Sequence, residues 1–321
     1  MDKDPARLLV IGAGVNGSIC ALGLQRAGFD VTLLARGQRY EELRSGGIVI
    51  EDPFRNTQTT THVHLINHLD PADCYDYILV VVRKSQVKDL LPALAINPSP
   101  NVVFMINNPS GPAEYTDALG RERVMLGFVF GGGRREGSII RAMIPKRGST
   151  PFGEIDGTIT PRLTRLVAIL RQAGLHAVIS RNMVDWQATH AALIPALAIP
   201  VMKYQLDARA LSKSKADLGL MVDAMRQTLD VLQAVGYHIT PPSTSIIRYI
   251  PRFVLIEALR RLLPTRFMEV GGVWHVSQAG DEMIQLGKEL AVLVDKSGLP
   301  VPALRELLQV NDALSFQGGS F

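Results

Sequence analysis

Short apolar runs recur along the first 180 residues, separated by polar stretches of helical or turn-rich character. The run Tyr77–Val82 is apolar throughout, which is typical of a strand covered on both faces of a parallel sheet. Such strands with crossover segments between them indicate an α/β fold with a Rossmann-like, doubly wound sheet. The predicted strands are Leu8–Ile11, Val31–Leu34, Ile48–Ile50, Val63–Ile66, Ile78–Val82, Val102–Ile106, Val124–Phe130 and His176–Ile179, and Pro161 opens a helix over Leu163–Ala173.

The pattern changes after Arg181, where the strand-like runs end and helical periodicity takes over. We therefore predict two domains, an N-terminal dinucleotide-binding α/β domain over residues 1–180 and an all-helical C-terminal domain over residues 181–321, for substrate binding or dimerisation. The helices predicted for the second domain are Met183–Tyr204, Ser212–Val235, Ser245–Leu263, Ser277–Ser297 and Pro302–Leu308.

The composition is that of a globular protein, since 47% of the 321 residues are hydrophobic and 20% are charged. The formal net charge of +4 comes from cations scattered among acids, and a phosphate-bearing small molecule explains it as well as a nucleic acid would; we expect no nucleic-acid partner. The cysteines Cys20 and Cys74 form no metal-binding or disulfide pattern. The histidines His62, His64 and His68 lack a converging acid, so no metal site is predicted.

The N-terminal segment and the longest apolar stretch indicate the expected cellular location of the protein. The segment Met1–Pro5 is charged and lacks the order of parts of a signal peptide. The longest apolar stretch, Ala191–Val201, is shorter than the roughly 20 residues that span a bilayer. We therefore expect a cytoplasmic protein without a membrane segment.

The strongest motif is the glycine-rich segment Gly12–Gly17, which follows the first strand and opens a helix. In such a motif the first glycine allows a tight turn, the second lets main-chain N–H groups approach a pyrophosphate, and the third lets helix and strand pack closely. The strands and helix around it stand where a βαβ unit requires them. The predicted dinucleotide-binding residues are Gly12, Gly14, Val15, Asn16 and Gly17.

The end of the second strand indicates which dinucleotide binds. Sites for NAD and FAD hold the ribose hydroxyls with an acid at this point, whereas a 2′-phosphate requires a cation. The strand here ends in Ala35-Arg36-Gly37, without an acid. Arg36 can form a bidentate contact to phosphate, so NADP is the predicted cofactor; the alternative is an ordinary solvated arginine on a loop.

With these motifs the chain resembles the ketopantoate reductase (2-dehydropantoate 2-reductase) family, which pairs a nucleotide domain with a helical domain. Arg83–Gln86 is similar to the family's Lys-x-x-Gln segment, with Arg83 in place of the lysine. Asn108 matches the asparagine of its Asn-Gly-x-Gly turn, and Ser297–Pro302 resembles its Gly-x-x-x-Pro segment. The resemblance implies that Arg83, Gln86 and Asn108 lie beside the cofactor.

The catalytic positions depart from the family. Its members carry a lysine and two asparagines at every fourth position of the first C-terminal helix, and the matching residues here are Trp186, His190 and Ile194. The chain thus resembles a divergent member without the catalytic lysine. His190 alone titrates near neutrality and becomes the candidate acid or base, the alternative being a half-buried histidine with satisfied hydrogen bonds.

A carboxylate on a late helix completes the predicted site. The resemblance implies an acid in this helix, and counting back along the chain selects Glu282 or Asp281. Either could orient a substrate, and the alternative is a solvated pair on the helix surface.

These residues predict an NADPH-dependent oxidoreductase that reduces a small keto or imine compound in a cleft between the domains, with the substrate itself left open. One alternative is an opine-type dehydrogenase with a histidine acid/base, and another is a non-catalytic NADP-binding regulatory protein. The segment Ile246–Phe267 mixes apolar and arginine residues. We interpret it as a helix packed on a neighbouring subunit or domain, in preference to a membrane-surface helix, and the helical domain is the candidate surface for a homodimer.

Overall fold

An eight-stranded sheet of mainly parallel strands lies in the first of two compact units into which the chain divides. The structure, a computed structural model, describes residues 5–129, 131–143 and 149–316. The first unit comprises the chain up to Ile106 together with Pro112–Val184. The second comprises Asn107–Gly111 together with the chain from Asp185 onward.

The described residues of the first unit form twelve strands, which belong to two sheets. The strands are β1 (Arg7–Ile11), β2 (Asp30–Leu34), β3 (Ile48–Asp52), β4 (Thr57–Thr61), β5 (His64–Ile66), β6 (Tyr77–Val80), β7 (Val102–Phe104), β8 (Val124–Gly127), β9 (Gly132–Glu136), β10 (Ile139–Met143), β11 (Thr150–Glu154) and β12 (Ala177–Ile179).

Six neighbouring strands of the large sheet are parallel, in the order β5-β2-β1-β6-β7-β8. This is the Rossmann order 3-2-1-4-5-6. The first three strands extend the sheet to one side of β1, and the next three, which start with β6, extend it to the other side. The strands β1, β6 and β7 are buried almost throughout, which explains their continuous apolar sequences. Beyond β8, β11 pairs antiparallel and β12 pairs parallel with β11. The predicted doubly wound α/β sheet is confirmed.

The second sheet has four strands in the order β4-β3-β10-β9. It contains Ile48–Ile50, which the apolar pattern assigns to the parallel sheet, so that assignment is wrong: β3 pairs with β4 and β10 instead. The predicted strand Val124–Phe130 ends at Gly127, and Phe130 lies outside the described residues. The strands β4, β9, β10 and β11 are not predicted, because they lack the apolar runs or clear alternation that signal a strand.

Helices connect the strands of the first unit. Helix α5 begins as the sequence predicts, since Pro161 occupies its first turn and the Thr160 side chain accepts a hydrogen bond from the Leu163 N–H. Its apolar face packs into the core beneath the sheet. The helices are α1 (Val15–Arg26), α2 (Gly37–Gly46), α3 (Val87–Ile96), α4 (Ala113–Leu119) and α5 (Pro161–Gln172), with a 3₁₀ turn over Lys84–Gln86.

From Met183 onward the described residues form helices and the turns between them, which confirms the predicted helical C-terminal region. No helix in the described parts of the chain is long and apolar enough to cross a membrane. The helices are α6 (Met183–Lys203), α7 (Ala208–Leu211), α8 (Lys215–Ala234), α9 (Arg252–Leu262), α10 (Arg266–Met268), α11 (Trp274–Gln278), α12 (Gly280–Ser297) and α13 (Pro302–Phe316), with a 3₁₀ segment over Pro242–Arg248 and a π-helical turn over Glu269–Val273.

Four predicted helix boundaries are wrong. One is the end of α13, which continues past Leu308 to Phe316. The other three have identifiable reasons. Ser214 begins α8 by accepting a hydrogen bond from the Asp217 N–H, so the helix does not start at 212. Pro251 separates the 3₁₀ segment from α9, because proline offers no N–H and restricts the residue before it. The stretch predicted from Ser277 is divided at Ala279, whose backbone leaves the helical region (φ −131°, ψ 34°).

Candidate active site

The glycine-rich loop joins β1 to α1 at the edge where the strand order of the sheet reverses. Gly12 has φ +108°, and a Cβ there would overlap the main-chain oxygen of Val81. A Cβ at Gly17 would overlap the main-chain oxygen of Gly12. These two glycines are therefore required by the fold itself, because no side chain fits at either position.

Gly14 differs from its two neighbours in the motif. A Cβ there would have no heavy atom of the described part of the chain within 4 Å, and the residue is exposed. It is the N-cap of α1 and makes no side-chain cap, and the described first turn contains no acidic residue. The first N–H groups of a helix lack intrahelical acceptors and attract anions. The open space and the free helix end together fit a pyrophosphate group.

Val15 and Asn16, both half-buried, complete the predicted loop. The Asn16 Oδ1 atom is buried and has no hydrogen-bond partner among the described residues. A Cβ added at Gly131 would lie 2.5 Å from this oxygen, so a glycine is needed there to leave room for the amide. An unsatisfied buried amide beside an open helix end is a second feature that fits a bound ligand.

Arg36 follows β2 after one residue and occupies the N-cap position of α2. Its side chain is exposed and its backbone is extended (φ −126°, ψ 158°). The first turn of α2, which is described throughout, contains no acidic residue. A cation and a helix N-terminus thus stand where NAD sites place a carboxylate, an arrangement that fits a 2′-phosphate.

The Arg83–Gln86 segment forms the 3₁₀ turn before α3. The Gln86 Oε1 atom accepts a hydrogen bond of 3.2 Å from the Arg83 N–H, so this side chain closes its own turn. Arg83 is half-buried and Gln86 is exposed. Their assignment to the cofactor stays a prediction.

The loop after β7 contains two asparagines with different surroundings. Asn108 donates to the Gly111 main-chain oxygen at 2.6 Å and accepts from the Ser110 N–H at 3.1 Å, so both ends of its amide are used within the loop. Asn107 donates to Glu282 Oε1 at 3.0 Å, and its Oδ1 atom is buried without a partner among the described residues. The sequence motif selects Asn108 and misses Asn107.

The two candidate acids at the start of α12 point in different directions. Glu282 is 8% exposed and accepts the hydrogen bond from Asn107, whereas Asp281 is exposed. A buried carboxylate needs a donor to offset its desolvation, and Asn107 supplies one. The structure therefore brings Glu282, and not Asp281, together with a second polar group of the second unit.

His190 stacks on Trp186 one turn earlier in α6, with ring centroids 5.0 Å apart and an angle of 12° between the planes. Burial, and to a smaller extent the positive charge of nearby His275, lower the pKa of His190 to about 4. The imidazole is therefore neutral at neutral pH, able to accept a proton but rarely able to donate one.

Over residues 5–129, 131–143 and 149–316, no group of three or more His, Cys, Asp or Glu side chains could hold a metal ion. Of the histidines near β5, His68 places its Nδ1 atom 2.7 Å from the Asn67 Oδ1 atom.

Sequence comparison finds similarity in the part of the chain that contains this loop. Residues 8–157 match the family model described as ketopantoate reductase PanE/ApbA. The chain is 26% identical over 195 residues to a 2-dehydropantoate 2-reductase of Archaeoglobus fulgidus, covering 61% of this chain and 63% of that protein. For the same enzyme of Pyrococcus horikoshii, identity is 24% over 188 residues, covering 56% and 58%. The matches thus span less than two thirds of these relatives.

Solved structures share the fold along almost the whole chain. A PanE/ApbA family ketopantoate reductase from Ralstonia eutropha superposes with a TM-score of 0.76 at 20% identity, covering 97% of this chain and 99% of that one. The ternary structure of D-mandelate dehydrogenase with NADH and anilino(oxo)acetate gives a TM-score of 0.76 at 14% identity, covering 97% and 98%. At these identities the similarity establishes the fold.

Proposed function

Residues 8–157 form a domain of the ketopantoate reductase PanE/ApbA family, and from this premise we propose that the protein is an NADPH-dependent oxidoreductase that reduces a small keto or imine compound. The observation that carries the proposal is the open, uncapped N-terminus of α1 at Gly14, with Arg36 at the end of the neighbouring strand. When bound, the dihydronicotinamide supplies a hydride. We propose the cytoplasm as the location of this reaction.

The residues of the second unit are proposed to handle the proton and orient the substrate. Asn107 donates a hydrogen bond to Glu282, and the Asn107 Oδ1 atom, which has no partner among the described residues, offers an acceptor for a hydroxyl or amine hydrogen. His190, neutral near pH 7, suits the role of base when an alcohol or amine is oxidised. In the reductive direction it donates a proton only from its charged form.

Two other functions use the same features. An opine-type dehydrogenase is favoured by the presence of His190 where the ketopantoate reductase family has an asparagine. A regulatory NADP-binding protein is favoured by the replacement of the family's lysine by Trp186, whose side chain is buried and cannot donate a proton.

A substrate panel separates these functions. The purified protein is mixed with NADPH and a series of 2-keto acids, with and without amino acids, and cofactor oxidation is followed by absorbance. Oxidation with a keto acid alone supports the reductase, and a requirement for the amine supports the opine reaction. Tight NADPH binding without turnover of any pair supports the regulatory protein.

Arg36→Ala should weaken NADPH binding by about 1–3 kcal/mol and leave NADH binding unchanged, because only NADPH carries the phosphate that the guanidinium contacts. Titration calorimetry with both cofactors measures the difference. Arg44→Ala is the matched control, since Arg44 is an exposed arginine in the last turn of the same helix. Equal affinity of the unmodified protein for NADPH and NADH would contradict the prediction.

A further inference from the structure

Arg39, in the first turn of α2, is a buried arginine that no motif marks. It is only 9% exposed, and its Nε atom donates to the main-chain oxygen of Ala13 in the glycine-rich loop at 3.1 Å. Its Nη1 atom donates to Glu42 Oε2 at 3.2 Å and to the Ser138 main-chain oxygen at 3.0 Å. A buried guanidinium is costly unless it is paired, so its placement against this loop calls for a physical reason.

The bond to Ala13 fixes the orientation of a peptide group in the loop. The Ala13 oxygen also accepts a hydrogen bond from Ser18 Oγ at 3.3 Å. In a planar trans peptide the C=O and the following N–H point in opposite directions. Holding the Ala13 oxygen therefore aims the Gly14 N–H away from Arg39. Gly14 itself, without a side chain, offers little resistance to rotation of that peptide.

Arg39 also leaves positive charge beside the loop. Glu42 lies near two cations, at 3.2 Å from Arg39 and 3.5 Å from Arg135, so one carboxylate faces two guanidinium groups. The Arg39 Nη2 atom is buried and has no hydrogen-bond partner among the described residues. A pyrophosphate, with two negative charges, would offset this excess.

We propose that Arg39 is a positioning residue for the pyrophosphate of the cofactor: it orients the Ala13–Gly14 peptide and holds an excess positive charge behind it. The inference rests on the proposed function, in which this loop binds a nicotinamide dinucleotide. Two arginines at the start of α2 then have separate roles, because Arg36 contacts the 2′-phosphate and Arg39 supports the pyrophosphate.

The test uses titration calorimetry with NADPH, NADH and adenosine 2′-monophosphate, which has the 2′-phosphate but no pyrophosphate. Arg39→Lys should weaken NADPH and NADH by the same factor, about 10- to 100-fold, and leave adenosine 2′-monophosphate unchanged. Arg36→Ala should show the opposite pattern, with loss of NADPH and adenosine 2′-monophosphate and retention of NADH. Ser18→Ala, which removes the second donor to Ala13, should repeat the Arg39 pattern more weakly.

Several results would overturn this inference. Unchanged NADH affinity in folded Arg39→Lys and Ser18→Ala would show that the peptide needs no support. Equal loss of all three ligands would indicate general damage to the unit rather than positioning. If the unmodified protein bound none of the three, the proposed function would itself fail, and this inference with it.

A second inference comes from the segment between Ile246 and Phe267, here called the α9 surface. Among the described residues, six of the ten exposed large hydrophobic side chains lie in it, and α9 contains no fully buried residue. Exposed apolar patches of this kind mark interaction sites. The six are Ile246, Tyr249, Phe253, Val254, Leu262 and Phe267.

The charges and the area of the α9 surface favour a second copy of this chain as its partner. Arg252 pairs with Asp223 at 2.9 Å, Arg248 pairs with Asp230 at 2.9 Å, and Glu257 faces two arginines of its own helix. These paired cations offer little to an anionic membrane. Tyr249, Phe253 and Phe267 are 81%, 73% and 54% exposed. Together they expose as much surface as about two whole aromatic side chains, or roughly 400 Å² of accessible area. That is close to the apolar share of one side of a standard interface.

We infer that the α9 surface binds the same surface of a second copy of the chain, giving a two-fold homodimer. Light scattering after gel filtration should show twice the 35.1 kDa chain mass. Phe253→Asp should give monomers, while Ile96→Asp, which changes a 66% exposed residue of α3, should leave the dimer intact. A monomeric unmodified protein, a dimeric Phe253→Asp variant, or binding to phosphatidylcholine–phosphatidylglycerol vesicles that Phe253→Asp removes would each overturn the inference.

Discussion

Gly14→Val should abolish NADPH binding in a protein that still folds. The position is exposed and a Cβ there meets no neighbour among the described residues, so the substitution should lower the free energy of unfolding by no more than about 1 kcal/mol, through the poorer N-cap. The added side chain would occupy the space in front of the α1 N-terminus, where the pyrophosphate is proposed to sit. We expect affinity to fall at least about 100-fold, or about 2.7 kcal/mol, as measured by titration calorimetry.

Gly46→Val provides the control for this substitution. Gly46 ends α2, has open space where a Cβ would lie and does not need a left-handed backbone, so valine should be accepted without effect on NADPH. Gly17→Val is the opposite case, since its Cβ would overlap the main chain of Gly12 and the protein should lose stability. A folded Gly14→Val variant with unchanged NADPH affinity would refute the proposed cofactor site.

His190→Ala should lower turnover by about 10²- to 10⁴-fold and leave NADPH affinity unchanged, if the imidazole transfers the proton. His190→Asn is the sharper variant, because it keeps a polar side chain, and the residue type of the family, without a titratable group. Steady-state kinetics of both variants should therefore agree. An active Asn variant would return His190 to a binding or packing role and leave Glu282 as the candidate proton source.

The pH dependence gives an independent test of the same residue. With a pKa of about 4, only about one His190 in a thousand is charged at pH 7. Reduction that uses the charged form should accelerate about tenfold for each unit that the pH falls between 7 and 5, whereas oxidation, which uses the neutral form, should not change over that range. Both expectations refer to kcat, and the acceleration of reduction at low pH should be absent in His190→Asn.

Much of the first unit could be predicted from the sequence because its central strands are buried on both faces. β1, β6 and β7 carry continuous apolar runs, and the glycines of the loop are required by the backbone contacts of Gly12 and Gly17. The second sheet carries no such signal. Its β4 is the polar segment TQTTT, half-exposed, whose extended backbone depends on pairing with β3 rather than on its own residues.

The candidate site shows the same division between local and tertiary information. The motif around Asn108 is read correctly as a turn, because its side chain bonds to its own loop. Asn107, Arg39 and the choice between Asp281 and Glu282 depend on contacts with residues distant in sequence. Helical periodicity places Asp281 and Glu282 on different faces of α12 but does not show which face is covered by other residues. The two acids are therefore equivalent in the sequence and differ only in the fold.

The grouping of Asn107–Gly111 with the second unit has a consequence for any attempt to separate or exchange the halves of the chain. The loop is held there by Asn107 on Glu282, Ser110 on Glu289 and Tyr237 on the Pro109 oxygen. A fragment cut at Asp185 would keep the buried Glu282 and lose its amide donor. A chimaera that joins this helical half to another nucleotide domain would therefore have to carry over the pentapeptide as well, so the module that can be exchanged is discontinuous in sequence.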